Sequence, residues 1–136
     1  SKINTAGIPD HTMKTLILDV KFDERYFERV IHHEVFHIIN DGFKEIFDEK
    51  KWSNFNVKNF NYAECSTCTD KVALDTYKKT DGFLTEYSRS TASEDMAEVF
   101  SHLMIGLNTN DSDPILEKKI EFIKTNLLKI DENFIL

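Results

Sequence analysis

Two histidines four residues apart, with a glutamate directly after the first, form the pattern in this chain whose residue types and spacing specify a reaction: His33-Glu34-Val35-Phe36-His37. On a helix, an offset of four brings both imidazoles to one face. Two imidazoles so placed can grip one zinc ion, and Glu34 beside them can take a proton from a water that the metal makes acidic. That is the chemistry of metal-assisted peptide hydrolysis. The same spacing also arises by chance on helices with half-buried or exposed histidines, so a third ligand is needed.

A catalytic zinc usually takes three protein ligands and keeps one position for water. Glu94-Asp95-Met96-Ala97-Glu98 is the best source of the third. Glu94 and Glu98 share a helix face, and a carboxylate suits the metal. One of the pair can bind metal while the other accepts a hydrogen bond from a ligating histidine and fixes its tautomer. The ordinary reading competes: Thr91-x-x-Glu94 matches a capping box, and Glu98 can be a solvated side chain.

The elements that must position these residues follow from periodicity. Phe27, Val30, Ile31, Ile38, Phe43, Ile46 and Phe47 recur at offsets of three and four, which predicts one amphipathic helix through the histidines. Asp23 is its expected N-cap, Glu24 lies in its first turn, and the pattern runs through Gly42 to about Lys50. Upstream, Ser1 to His11 reads as irregular, and Thr15 to Val20 as the one convincing strand. Trp52 to Thr69 loses periodicity and reads as a long ordered loop. A short helix is expected from Asp70 to Lys79, ended by Asp81-Gly82, followed by an extended connection from Phe83 to Arg89. Thr91 to Glu94 opens a second strong helix that stops near Gly106. Asn108 to Asp113 reads as a turn, and Pro114 begins a last helix with Leu116, Ile120, Ile123 and Leu127 on one face, a packing element.

The segment Leu84-Thr85-Glu86-Tyr87-Ser88-Arg89-Ser90-Thr91-Ala92-Ser93-Glu94-Asp95-Met96-Ala97-Glu98-Val99-Phe100 resembles secreted gluzincins of the kind represented by the catalytic domain of anthrax lethal factor and the clostridial Pro-Pro endopeptidases. The resemblance spans His33 to Leu107, with its motifs at the two ends and a dissimilar middle. It implies that His33, His37 and Glu94 bind one catalytic zinc ion, that Glu34 is the general base, and that Glu98 orients His33 from behind. It also implies that Tyr87 donates a hydrogen bond to the oxyanion, although from the residues alone Tyr87 reads as a packing aromatic. The fold it implies is α+β and zincin-like, mostly helical, with a small reduced N-terminal sheet ahead of the HExxH helix. The strand at Thr15, Leu16, Ile17 and Leu18 is then expected to bind an extended substrate along its edge. Secretion is favoured on the same ground.

At 136 residues the chain reads as a single domain, 1–136, and its opening at Ser without Met fits a mature form or the catalytic piece of a longer protein. Its 17 basic against 24 acidic side chains leave −7, which argues against nucleic acid or an anionic membrane as partner. No apolar run is long enough to span a bilayer. The expected partner is a peptide or protein substrate, and the expected state a monomer. Cys65 and Cys68 are too few for a disulfide framework or a structural zinc site, and read either as reduced thiols or as a short local disulfide. His32 points about 100° away from His33 around the helix. His102 reads as a surface or satisfied core histidine before a site residue, and His11 as a loop residue. Two other classes compete with the hydrolase. One is an inactive zincin-like binding module; the other is a redox domain centred on the cysteine pair.

Overall fold

The computed structural model describes residues 7–10, 12–13, 15–18, 24–107 and 112–134. Expectations for Asp23 as a cap, for His11, for the strand end at Asp19 and Val20, and for the turn at Asn108 to Asp111 lie outside these. The described part is mostly helical. Helix α1 is Glu24–Gly42, α2 Glu49–Ser53, α3 Ala92–Met104 and α4 Pro114–Ile130. Ahead of them a hairpin pairs β1, Gly7–Asp10, antiparallel with β2, Thr15–Leu18, with Ile8 opposite Ile17. No layered sheet of the zincin kind is present among the described residues.

The helix expected to reach Lys50 ends instead at Gly42, for reasons written on both sides of the break. Gly42 is a poor helix former, and Phe43 N–H closes the last turn onto the Ile39 and Asn40 carbonyls. Asp48 then starts a new helix: its carboxylate accepts from Lys51 N–H at 2.8 Å. The kink between them turns Phe47 and Trp52 inward until both are buried, while Phe43 stays exposed. The buried face of α1 is also more polar than a simple stripe, since Arg29, His33, Glu34 and Asn40 are buried beside Val30 and Phe36. Phe36 is fully covered and rests against Phe47 and Phe100.

Residues 70–79 do not form the expected helix. Their backbone is committed to other partners: Leu74 C=O accepts from Arg29 of α1, Ala73 C=O from Tyr87 N–H, and Tyr77 N–H donates to Leu84 C=O. A helix would have to withdraw those groups into its own ladder. The stretch 83–89 likewise ends in a 3-10 turn, Tyr87–Arg89, rather than extended chain, and Ser66–Cys68 forms another inside the long loop. At 81–82 the chain turns with Asp81 at φ 43° and Gly82 at φ +86°; a Cβ on Gly82 would meet Ile115 Cγ2 at 2.6 Å.

Helices α3 and α4 match expectation because their caps are local. Thr91 accepts from Glu94 N–H, and Asp113 accepts from the Ile115 and Leu116 N–H groups ahead of Pro114. Helix α3 is the central element, buried from Asp95 through His102, with α1, α2 and α4 packed around it. One side carries a buried polar hub: Asp95 Oδ2 accepts from Trp52 Nε1 at 2.8 Å, Tyr62 Oη at 2.6 Å and Lys119 Nζ at 2.6 Å. Lys119 Nζ also donates to Gly82 C=O and lies 3.9 Å from the Phe83 ring centroid.

Candidate metal centre

An adjoining face of α3 meets α1, and there His33, His37 and Glu94 converge. His33 Nε2 lies 2.9 Å from Glu94 Oε2, His37 Nε2 lies 3.1 Å from the same oxygen, and the two Nε2 atoms are 3.1 Å apart. The far side of each ring is held. His33 Nδ1–H donates to Glu98 Oε1 at 2.9 Å, and His37 Nδ1 faces Ser93 Oγ at 3.2 Å, which also accepts from Asn40 Nδ2. With its proton on Nδ1, as the contact with Glu98 favours, the neutral His33 ring turns its Nε2 lone pair toward Glu94, and His37 does the same when its Nδ1–H donates to Ser93.

Burial by itself would lower the pKa of His33, yet its contacts with Glu94 and Glu98 outweigh that and raise it to about 10. Burial favours the neutral acids, but the histidines hold both Glu94 and Glu98 below the usual carboxylate range. The donor set suits zinc: tetrahedral ligands with bonds of about 2.0–2.1 Å lie roughly 3.3 Å from one another, a few tenths beyond the spacing found. Imidazole, imidazole and carboxylate are ordinary zinc ligands.

Glu98 is itself tied down. Its Oε2 accepts from Thr85 Oγ1 at 2.9 Å, and Thr85 and Ser88 cap each other through Thr85 N–H to Ser88 Oγ and Ser88 N–H to Thr85 Oγ1, each at 3.0 Å. That closed turn sets the 3-10 segment bearing Tyr87, whose ring stacks on His33 with centroids 6.0 Å apart. Burial raises the Tyr87 pKa, as do the charge of Glu94 and a hydrogen bond with it; a hydrogen bond with Ser66 opposes the shift. Ser66 sits within the Cys65–Cys68 disulfide, so the loop staple borders the site. Glu34 is buried on α1 one position after His33.

His33, His37 and Glu94 therefore come together, with Glu98 behind His33 and Tyr87 stacked on its ring, while Glu34 is buried on the same helix. The strand residues Thr15 to Leu18 lie on the hairpin beside α1, and their backbone pairing with β1 is all that bears on their role. His32 turns toward Phe100, away from the cluster. His102 is a satisfied core histidine: its Nδ1–H donates to Glu98 C=O at 2.8 Å. Thr85, Ser88, Ser93, Asn40 and Ser66 are site neighbours that the motifs do not announce. For Thr85 and Ser88 a signal exists, since hydroxyl residues three apart can cap one another; for Ser93 and Asn40 only the packing of α1 on α3 pairs them.

Residues 4–128 match a family model described as "Putative zinc-binding metallo-peptidase". No curated protein and no solved structure matches the chain. The match covers most of the sequence, from ahead of the hairpin to near the end of α4. With a two-histidine, one-carboxylate cluster at its centre, the chain belongs to this zinc-binding metallopeptidase family.

Proposed function

We propose that the protein is an endopeptidase of the gluzincin class with a single catalytic zinc held by His33, His37 and Glu94. The observation that carries this is the convergence of His33 Nε2, His37 Nε2 and Glu94 Oε2 within about 3 Å, with Glu98 and Ser93 on the far sides of the two rings. Zinc bound there supplies Lewis acidity, which makes a water acidic and polarises a peptide carbonyl. Glu34 accepts the proton of the attacking water and delivers it to the leaving amine. Glu98, anchored by Thr85, keeps the His33 ring in one tautomer and one orientation. Tyr87, a phenol that is protonated at neutral pH, donates to the developing oxyanion. The likeness of the 84–100 segment to lethal factor and the Pro-Pro endopeptidases supports these roles. A zincin-like scaffold and secretion are proposed on the same likeness, and a loop disulfide at Cys65–Cys68 suits an oxidising compartment.

An extended peptide is proposed to lie antiparallel along β2. One edge of Thr15–Leu18 pairs with β1, and no strand covers the other among the described residues. A bound inhibitor lying across zinc without main-chain contact to 15–18 would remove that part of the reading.

The deciding experiment compares wild type with Glu34→Gln for zinc content and for cleavage of a peptide library, with zinc and with chelator. Wild type cleaves only with zinc, while the variant retains zinc and loses turnover, because the amide cannot take the proton. Comparable turnover in the variant would take Glu34 out of the mechanism; absence of zinc in the wild type would overturn the assignment as a whole.

A further inference from the structure

Contacts between α1 and α3 repeat with a four-residue step. His37 meets Glu94, His33 meets Glu98, and Arg29 meets His102, with Arg29 Nη1 3.4 Å from His102 Nε2. Beyond the end of α3 at Met104 the series stops, and Arg25 and Gly106 line the next space along the pair, where Gly106 has no side chain to fill it. A Cβ at Gly106 would meet nothing within 4 Å. The result is a cavity of about 470 Å³, lined by Arg25, Arg29, Tyr26, Thr76, His102 and the apolar 105–107 turn.

Its chemistry differs from the rest of the chain. The protein carries a net charge of −7, yet among the described residues this cavity has two guanidinium groups and no carboxylate on its walls. Arg29 is held as a fixed donor: its Nη2 donates to Leu74 C=O at 3.0 Å, and its guanidinium lies over the Tyr26 ring at 5.1 Å. It is only 9% exposed. His102 donates through Nδ1 to Glu98 C=O, so Nε2 is left to accept from Arg29 and Thr76. His102 therefore orients the arginine and leaves the positive charge to the guanidinium groups. No salt bridge among the described residues occupies Arg25 or Arg29.

Resting on the peptidase reading, we propose that this cavity is a specificity subsite that takes a carboxylate of the substrate peptide. Two guanidinium groups with an apolar floor match a carboxylate on a short aliphatic stem. At a helical rise of about 1.5 Å per residue, Arg29 and Arg25 stand about 6 and 12 Å along α1 from His33. An extended peptide advances about 3.3 Å per residue, so the acidic group lies about two to four residues from the bond that is cut. Arg25 and Arg29 bind the carboxylate; His102 is a positioning residue. The carboxylate can belong to an Asp or Glu side chain or to the peptide's own C-terminus.

Fluorescence anisotropy on the zinc-loaded Glu34→Gln protein tests this without requiring turnover. The probes are C-amidated peptides that differ only in Glu against Gln at one of these positions, together with a neutral peptide with a free C-terminus. The Glu peptides should bind about tenfold tighter than their Gln partners, and the preference should shrink toward one in Arg25→Gln and Arg29→Gln. Tighter binding confined to the free C-terminus keeps the subsite and assigns it the chain end. Arg25 is exposed, so its variant decides the matter if Arg29→Gln fails to fold. Carboxylate and amide peptides binding within twofold of each other, or a preference unchanged in the arginine variants, overturns the subsite. Failure of the unmutated zinc-loaded protein to cleave any peptide would instead overturn the peptidase reading, and the anisotropy ratio would still report on the cavity.

Discussion

Glu94 and Glu98 stand one helical turn apart and both face His33, yet they meet different nitrogens. Glu94 faces Nε2, where the lone pairs converge, and Glu98 takes the proton on Nδ1. If Glu94 is a zinc ligand and Glu98 the support of another, as proposed, their removal should differ in degree. Glu94→Ala is expected to abolish tight zinc retention, whereas Glu98→Ala weakens it about 10- to 100-fold, as read by elemental analysis after dialysis against graded chelator. The reverse order would exchange the two roles. Tyr87→Phe removes only the hydroxyl from a ring that still stacks on His33. Zinc content and fold should be unchanged, and kcat should fall by about 3 kcal/mol of transition-state stabilisation, on the order of 100-fold. A kcat within threefold of wild type would return Tyr87 to the role of packing aromatic.

At the scale of elements, α4 depends on one cap that also reaches across to the preceding turn. Asp113 Oδ1 accepts from the first N–H groups of α4, and Oδ2 accepts from Gly82 N–H at 2.6 Å and from the Thr80 hydroxyl. Partial burial pushes its pKa up, but these hydrogen bonds more than offset it and hold the acid below its usual value. A depressed folded pKa means stability that is present above the unfolded value, about 3.9, and lost as pH falls through the folded one. Asp113→Ala should therefore cost about 1 kcal/mol near pH 6, with the gap to wild type narrowing below about pH 4. Urea midpoints at pH 6 and pH 3 measure it; a gap that widened in acid would contradict the cap's charge.

Across the whole molecule, the Asp95 hub joins α2, the 54–69 loop, α3 and α4 beside the helix face that carries Glu94. Burial pushes Asp95 up and Lys119 down, each toward its neutral form, and the opposite charge of the partner resists in both cases. Such a pair is costly to break from one side and much less costly to replace whole. Asp95→Ala or Lys119→Met alone should each lower stability by about 3–5 kcal/mol, and the double variant by clearly less than the sum, in urea unfolding. Additive losses would mean that the two groups are independently solvated. Because Asp95 points about 100° around α3 from Glu94 and bonds to Trp52, Tyr62 and Lys119 rather than to the histidines, the loss should appear first as unfolding rather than as weaker zinc retention.

The spacing of His33 and His37 and the pair Glu94 and Glu98 are legible in the chain, because a helix turns a four-residue offset into a shared face whatever surrounds it. The cap at Thr91 and the helix start at Pro114 are legible for the same local reason. Sequence does not say which carboxylate meets which imidazole nitrogen, since that depends on how α3 lies against α1. The break at Gly42 departs from the periodicity because a weak helix former yields to its downstream neighbours, here the cap at Asp48 and the burial of Phe47 and Trp52. Residues 70–79 depart from their helical pattern because their carbonyls serve distant donors on α1 and beside Tyr87. No motif in the sequence pairs Asp95 with Lys119, and only the packing of α4 on α3 buries them and makes them partners. Local periodicity determined which residues share a face, and the tertiary contacts decided which faces meet, because partners far apart in sequence are chosen by shape and charge once the helices pack.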